Sequence, residues 1–383
     1  MAVEVKMWTE QVPVEQAALE QIERLSQLPV IASHIAIMPD VHMGKGACVG
    51  SVIPTRDAVI PAAVGVDIGC GMTAALTSFV RSDVESRLGD IRAEIERLIP
   101  VGRAERRAAP DVYRDEIADI ERRFSQLSIL EFLPGADRSR IVRQVGTLGG
   151  GNHFIEVCVD TDDRVWVMLH SGSRNAGNII GQVGMRLARE QAAVRGDVLP
   201  EADLAWLEEG SFEFGAYIEA MLWAQDYARL NRAVMMHYAL AALGATVIGD
   251  IIDCHHNFTQ LETHFGQEMW ITRKGAVGVS VGEFGIIPGS MGSRSYIVRG
   301  RGCADAYDSC SHGAGRAMSR SQARRQFTIE QFMEQTSGVE CRKDADLIDE
   351  IPSAYKSIDA VIASQRDLID VVCELKQIVC IKG

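Results

Sequence analysis

The sequence predicts an α+β protein built as a single large mixed domain over residues 1–383, a β-sheet core surrounded by helices, and three observations lead there. Helical and strand-like periods follow one another irregularly, without a helix after every strand, so a Rossmann or TIM-barrel order finds no support. No Pro/Gly/Ser-rich linker, internal repeat or low-complexity tract divides the chain. Hydrophobic residues make up 47% and charged residues 24%, an ordinary globular composition with ample material for a core.

Taken in order, apolar residues recur at helical spacing over 13–27 and 84–99. The stretch "RAERRAAPDVYRDEIADIERRFSQL" (103–127) keeps a helical period but is polar and charged, which marks about 101–143 as a helical peripheral excursion. Short β-branched or apolar runs bounded by glycine or polar clusters predict strands at "HFIEVCVD" (153–160), "RVWVMLH" (164–170), "ATVIGDIIDC" (245–254), "EMWITR" (268–273) and "AVGVSVG" (276–282). Further helices are expected at 177–195, 214–242, 313–325, 328–336 and 358–377.

A net charge of −13 argues against a protein that coats nucleic acid through bulk electrostatics, so any such site must be local. The basic residues are uneven: Arg294 to Arg325 is strongly basic inside an acidic chain. Nine scattered cysteines, with no CxxC, argue against a disulfide framework and for reduced, mostly buried thiols. The N-terminus has no signal-peptide pattern and no apolar run is long enough to cross a bilayer, so a cytoplasmic location is expected.

"VGVDIGCGM" (64–72) places Asp67 and Cys70 in a glycine-rich loop. Histidine is scarce, yet His153 opens one predicted strand, His170 closes the next, and His255 and His256 close a third. Asp67, Cys70, His153, His170 and His256 together offer carboxylate, thiolate and imidazole donors suited to a borderline divalent ion such as Mn²⁺, Zn²⁺ or Fe²⁺. Five donors exceed a closed tetrahedral zinc site; a two-metal centre bridged by Cys70 fits the number, and paired metals suit phosphoryl transfer.

"TLGGGNHF" (147–154) and "IIPGSMGSRS" (286–295) are glycine-rich segments that could cradle phosphates or form plain turns, and no P-loop motif is present. In "SCSHGAGRAMSRSQARR" (309–325), Ser309 or Ser311 would cap a helix with His312 at its N-terminal end and Arg316, Arg320 and Arg324 along one face, an arrangement suited to a polyanion. His312 could then be a ligand, a general acid or base, or a nucleophile.

"MPDVHMGKG", "PAAVGVDIGCGM", "GNHFIE", "HSGSR", "CHHNF", "TRKGA", "IIPGSMG", "SCSHGAGR", "VECRKDADLIDEIPSAYKSID" and "CIKG" occur in order, and together they resemble the RtcB family of RNA-splicing and RNA-repair ligases, its bacterial branch above all. The resemblance runs essentially end to end. It implies a GTP- and Mn²⁺-dependent ligase that joins RNA 3′-phosphate or 2′,3′-cyclic phosphate ends to 5′-hydroxyl ends. In that family the histidine matching His312 attacks GTP to form a histidine–GMP adduct; GMP passes to the RNA 3′-phosphate and is displaced by the 5′-hydroxyl.

The resemblance assigns one Mn²⁺ to Asp67, Cys70 and His153 and a second to Cys70, His170 and His256. It assigns guanylate contacts to Asn152, His153, Phe154, Ile155, Glu156, His256, Asn257, Pro288, Gly289, Ser290, Met291, Ser295, His312, Gly313, Ala314, Gly315 and Lys382, the last reading the guanine. Arg174, Lys274 and Arg320 match phosphate-holding positions expected to grip RNA ends. Asp40 and His42 fall in a further motif near the site, and His255 reads as packing beside a ligand. Departures lie at 101–143, at Asn175 where glycine is usual, and before Ile251; they bear on RNA selection. Two rival readings are a two-metal phosphoesterase working without a nucleotide intermediate and a binding module that has lost catalysis.

Overall fold

The computed structural model describes residues 2–133 and 137–383. It is α+β, organised around two antiparallel-rich sheets packed face to face. The larger sheet runs in the order Phe284–Ile287, Arg294–Gly300, Ile369–Lys382, Phe154–Asp160, Arg164–Ser171, Gly71–Val80 and Ile252–His255, every neighbour antiparallel. The smaller runs Val5–Met7, Ile35–His42, Val49–Thr55, Gln267–Lys274 and Asn257–His264, with only the first pair parallel.

Alternation along the strands decides what each face covers. Phe154, Cys158, Trp166 and Met168 point to one side of the larger sheet and meet Ala36, Met38, Val52 and Ile271 of the smaller one. Ile155, Val157, Val165, Val167 and Leu169 point to the other side, where Ile91 and Ile95 of the helix Leu88–Leu98 and Met235, Met236 and Ala239 of the helix Phe212–Leu243 cover them. The outer face of the smaller sheet, through Ile35, Ile37 and Ile53, packs on Ala18, Ile22 and Leu25 of the helix Gln16–Ser26. Four layers result, helix, sheet, sheet, helix, and the inter-sheet space is where the polar residues collect.

Most expected helices form: Gln16–Ser26, Leu88–Leu98 and Ile329–Gln335 with trimmed ends, Arg174–Arg195 and Phe212–Leu243 slightly longer than expected. The expected excursion contains the helices Arg114–Phe124 and Arg138–Gln144; its residues 134–136 lie outside the described ones. Ile117, Ile120 and Phe124 are buried against Trp223, so this stretch carries more core than its charge suggests.

Two expected helices are corrected. Residues 313–325 do not form one helix: Ser309–Ser311 is a short strand paired with Ala276–Gly278, and the helix begins only at Arg320, capped by Ser319. Gly315, at φ 69°, lies so close to Asp40 that a Cβ would meet its carbonyl oxygen at 2.1 Å, a conformation and contact no helical residue there could keep. Residues 358–377 are helical only over Ile358–Ala363; Ile369–Lys382 is a strand near the centre of the larger sheet. Pairing on both sides overrides its weak helical period. Of the expected strands at 245–254 and 276–282, only Ile252–His255 and Ala276–Gly278 are paired strands.

Trp223 is 1% exposed, its ring centroid 4.9 Å from Phe124 and 5.3 Å from Tyr227, and its indole N–H donates to the Ile120 carbonyl at 3.0 Å. Trp223→Ala should therefore cost about 3–5 kcal/mol in chemical denaturation, by opening a cavity between the excursion and the long helix.

Candidate metal and nucleotide site

The larger sheet brings the scattered donors together. Phe154 pairs with His170, His170 with Met72, and Met72 with Cys254, so His153, His170, Cys70 and His256 stand in one row across four adjacent strand ends. The row is continuous. Asp67 Oδ2 lies 2.9 Å from His153 Nε2, which lies 3.5 Å from Cys70 Sγ; that sulfur lies 3.1 Å from His170 Nε2, which in turn lies 3.2 Å from His256 Nε2. Cys70 is in the middle.

Carbonyl groups fix which ring nitrogens face the row. His153 Nδ1 donates to the Leu148 carbonyl (2.9 Å) and His170 Nδ1 to the Asn152 carbonyl (3.2 Å). A carbonyl can only accept, so each Nδ1 carries a proton; the neutral rings then turn Nε2 lone pairs inward, and where no cation lies between them His153 Nε2 shares a proton with Asp67 Oδ2. His256 Nδ1 is buried without a partner. Cys70, His153 and His170 have ligand atoms within 4.8 Å of one another and are all buried. Lone pairs, a thiol and a carboxylate converging in a dry pocket repel one another unless a cation or protons lie among them, and the donor set fits a divalent metal.

Burial sets the charge states. It pushes the Cys70 thiol well above its ordinary range, with Asp67 adding to the rise, and holds His170 and His256 well below theirs. Burial opposes ionisation of Asp67 most strongly, but His153, Cys70 and Arg174 together outweigh it and keep that carboxyl below the usual range. Glycines make the loop possible: a Cβ on Gly71 would meet the Cys254 carbonyl oxygen at 2.3 Å, and one on Gly172 would meet Asp67 Oδ1 at 2.1 Å. The long helix pins the same loops. Asn231 accepts from the N–H of Gly146 (2.8 Å) and donates to the Gly172 carbonyl (3.1 Å), while buried Arg232 donates to the Gly69 carbonyl (2.9 Å) and pairs with Asp253 (2.6 Å).

His312 stands at the end of the row, its ring centroid 4.9 Å from that of His256. It follows a strand rather than opening a helix, so the expected helix N-terminus is not what holds it. Asp40 does. Its Oδ2 accepts from the backbone N–H groups of His312 (3.1 Å) and Gly313 (3.2 Å) and lies 2.6 Å from His312 Nδ1, out of line for a hydrogen bond.

Two cavities meet at this point, sharing His42, Asn152 and His312. The first is lined by Asn152, Phe154, Glu156, Pro288, Gly289, Ser290, Met291, His312, Gly313, Ala314, Gly315, Arg320 and Lys382. Burial raises the Glu156 carboxyl to about 7, the nearby Lys382 opposing it. The second cavity is lined by Asp67, His256, Asn257, Lys45 and Lys274 among others.

Other expected site residues are placed elsewhere. The Ile155 side chain points into the opposite face of the sheet. Ser295 is fully buried and accepts from the Gly289 N–H (3.1 Å), so it holds the loop rather than lining the cavity. Arg174 lines neither cavity, and its Nε donates to Thr147 Oγ1 (3.2 Å); Lys274 does line the second cavity, with its Nζ donating to the carbonyls of Lys45 (2.6 Å) and Ala62 (2.7 Å). The expected basic face is also corrected: Arg316 precedes the helix, and Arg320 and Arg324 reach Asp349 at 2.6 and 2.8 Å. Glu350 and Tyr355, which also line the first cavity, lie in the motif "VECRKDADLIDEIPSAYKSID", whose residues carry no assigned role in the sequence reading.

A buried row of groups able to hold a metal ion, beside a polar-lined cavity, makes an enzyme site on an α+β scaffold. The family model described as tRNA-splicing ligase RtcB matches residues 21–383. The chain is 47% identical to the RNA-splicing ligase RtcB of Escherichia coli, covering 99% of this chain and 97% of that protein. It is 30% identical to the RNA-splicing ligase RtcB of Mycobacterium tuberculosis (95% and 100%) and 28% identical to the tRNA-splicing ligase RtcB of Methanococcus maripaludis (97% and 92%). The chain belongs to the RtcB family of RNA ligases.

Because a metal-bound Cys70 must shed its proton, affinity for a divalent ion should rise with pH across the neutral range. Cys70→Ala should flatten that rise and lower the metal content found by elemental analysis; unchanged stoichiometry would contradict a central thiolate.

Proposed function

We propose that this chain is a GTP- and Mn²⁺-dependent ligase that joins RNA ends bearing a 3′-phosphate or 2′,3′-cyclic phosphate to ends bearing a 5′-hydroxyl. One observation carries the reading: His312 stands on the wall common to two cavities, at the end of the donor row, with its Nδ1 turned toward Asp40. That leaves Nε2 as the nucleophilic nitrogen. It attacks the α-phosphorus of GTP, the bond to pyrophosphate breaks, and GMP is carried as a phosphoramidate. The RNA 3′-phosphate then displaces His312, and the 5′-hydroxyl displaces GMP as the new phosphodiester forms.

The first cavity suits the guanylate, with Ser290, Met291, Glu156 and Lys382 among the residues on its wall. Two Mn²⁺, held by Asp67, Cys70 and His153 and by Cys70, His170 and His256, would supply charge neutralisation beside the phosphates. Arg320 on the wall of the first cavity and Lys274 on the wall of the second are the phosphate contacts among the three basic residues of the resemblance, while Arg174 keeps the adjoining loop in place. Among the described residues no helix is long and apolar enough to cross a membrane, and nine free cysteines suit a reducing cytoplasm.

Incubation with Mn²⁺ and radiolabelled GTP should leave an acid-labile adduct on the protein, and added RNA with defined ends should be joined. His312→Ala should abolish both while metal content stays at the wild-type level. Ligation by that variant would remove the nucleophile assignment, and hydrolysis of RNA ends by the wild type without any adduct would favour a two-metal phosphoesterase.

A further inference from the structure

Lys382 is 7% exposed, and a buried ammonium is costly unless it is paired. Its partner is Glu350, itself 2% exposed, the last residue of the short helical turn Ala345–Glu350. Glu350 gathers groups from four parts of the chain. Its Oε2 accepts from Lys382 Nζ and from the Tyr355 hydroxyl (2.8 Å); its Oε1 accepts from Arg320 and lies 3.6 Å from Arg316 Nη1. The Lys382 ammonium also lies 5.3 Å from the ring centroid of Phe154, on the cavity floor. Glu350 and Tyr355 line the same cavity as the proposed guanylate contacts.

We propose that Glu350 is a specificity-determining positioning residue, which holds Lys382 as an oriented, fully protonated ammonium so that the end of the cavity accepts an oxo-purine and rejects an amino-purine. This rests on the guanylate reading of the cavity given above. The argument is one of donors and acceptors. An ammonium has three N–H donors and no acceptor. It therefore welcomes the carbonyl oxygen at position six of guanine or hypoxanthine and leaves the amino group of adenine facing donors, with a buried N–H unsatisfied. Without a carboxylate beside it, burial favours the neutral amine, which carries a lone pair and can accept from adenine. The burial cost at Lys382 is outweighed by its neighbours, Glu350 foremost with Tyr355 and Cys380 adding, which raise its affinity for the proton. Lys382 and Glu350 thus act as one unit, the lysine touching the base and the glutamate setting its charge and direction.

The test is equilibrium binding of GMP, IMP and AMP to metal-loaded wild-type protein and to Glu350→Gln, by calorimetry. Wild type should prefer GMP and IMP over AMP, and Glu350→Gln should narrow that preference by about tenfold or more while metal content and melting behaviour hold. Lys382→Met should lose the same discrimination, and adding Glu350→Gln to it should change the ratio no further. Asp349→Asn, which alters the neighbouring carboxylate that pairs with Arg320 and Arg324 but not Lys382, should keep it. A folded Glu350→Gln protein that still separates GMP from AMP as the wild type does would overturn the proposal, as would a wild type with no preference. Since binding needs no covalent step, failure of the histidine–GMP chemistry appears separately, as an absent adduct with the base preference intact.

Discussion

Everything at this site depends on keeping bare lone pairs close together inside a protein. Asp67, Cys70, His153, His170 and His256 form a row in which successive ligand atoms are 2.9–3.5 Å apart. Such a row is unfavourable on its own account, and the fold meets that cost with rigidity. Adjacent antiparallel strands align the ends of the row, backbone carbonyls select one tautomer of His153 and His170, and Asn231 and Arg232 stitch the flanking loops to the long helix. The site is thus prepared for cations rather than shaped by them.

Asp40 plays the corresponding part for His312. With both backbone N–H groups of His312 and Gly313 satisfied by one buried carboxylate, the imidazole has one stable placement between the two cavities. Gly315 lets the chain pass close enough to Asp40 for this to happen.

The sequence revealed the donors because thiol, imidazole and carboxylate groups are scarce and their neighbours are glycines or strand ends. Amphipathic helices such as Gln16–Ser26, buried along Ala18, Gln21, Ile22 and Leu25, were also readable, since burial on one side leaves a period of 3.6. Ile369–Lys382 was not. It is exposed over Asp370, Val371 and Val372, buried from Ile378 onward, and bulged between Gln377 and Val379, so no single alternation survives. His312 was placed on a helix because serines before a basic stretch look like a cap, whereas the true cap is Ser319. Glu350 carries no local signal at all: its partners Arg320, Tyr355 and Lys382 meet only through tertiary structure.

The larger sheet sets strand Ile369–Lys382 beside Phe154–Asp160, and Gly71–Val80 between Arg164–Ser171 and Ile252–His255. Neighbours so remote along the polypeptide are joined late, after long loops have closed. A half-folded chain would hold the donors apart and bind no ion strongly. An ion held by this row would then be a signature of the finished protein, and by mass action would draw the folding equilibrium toward that state.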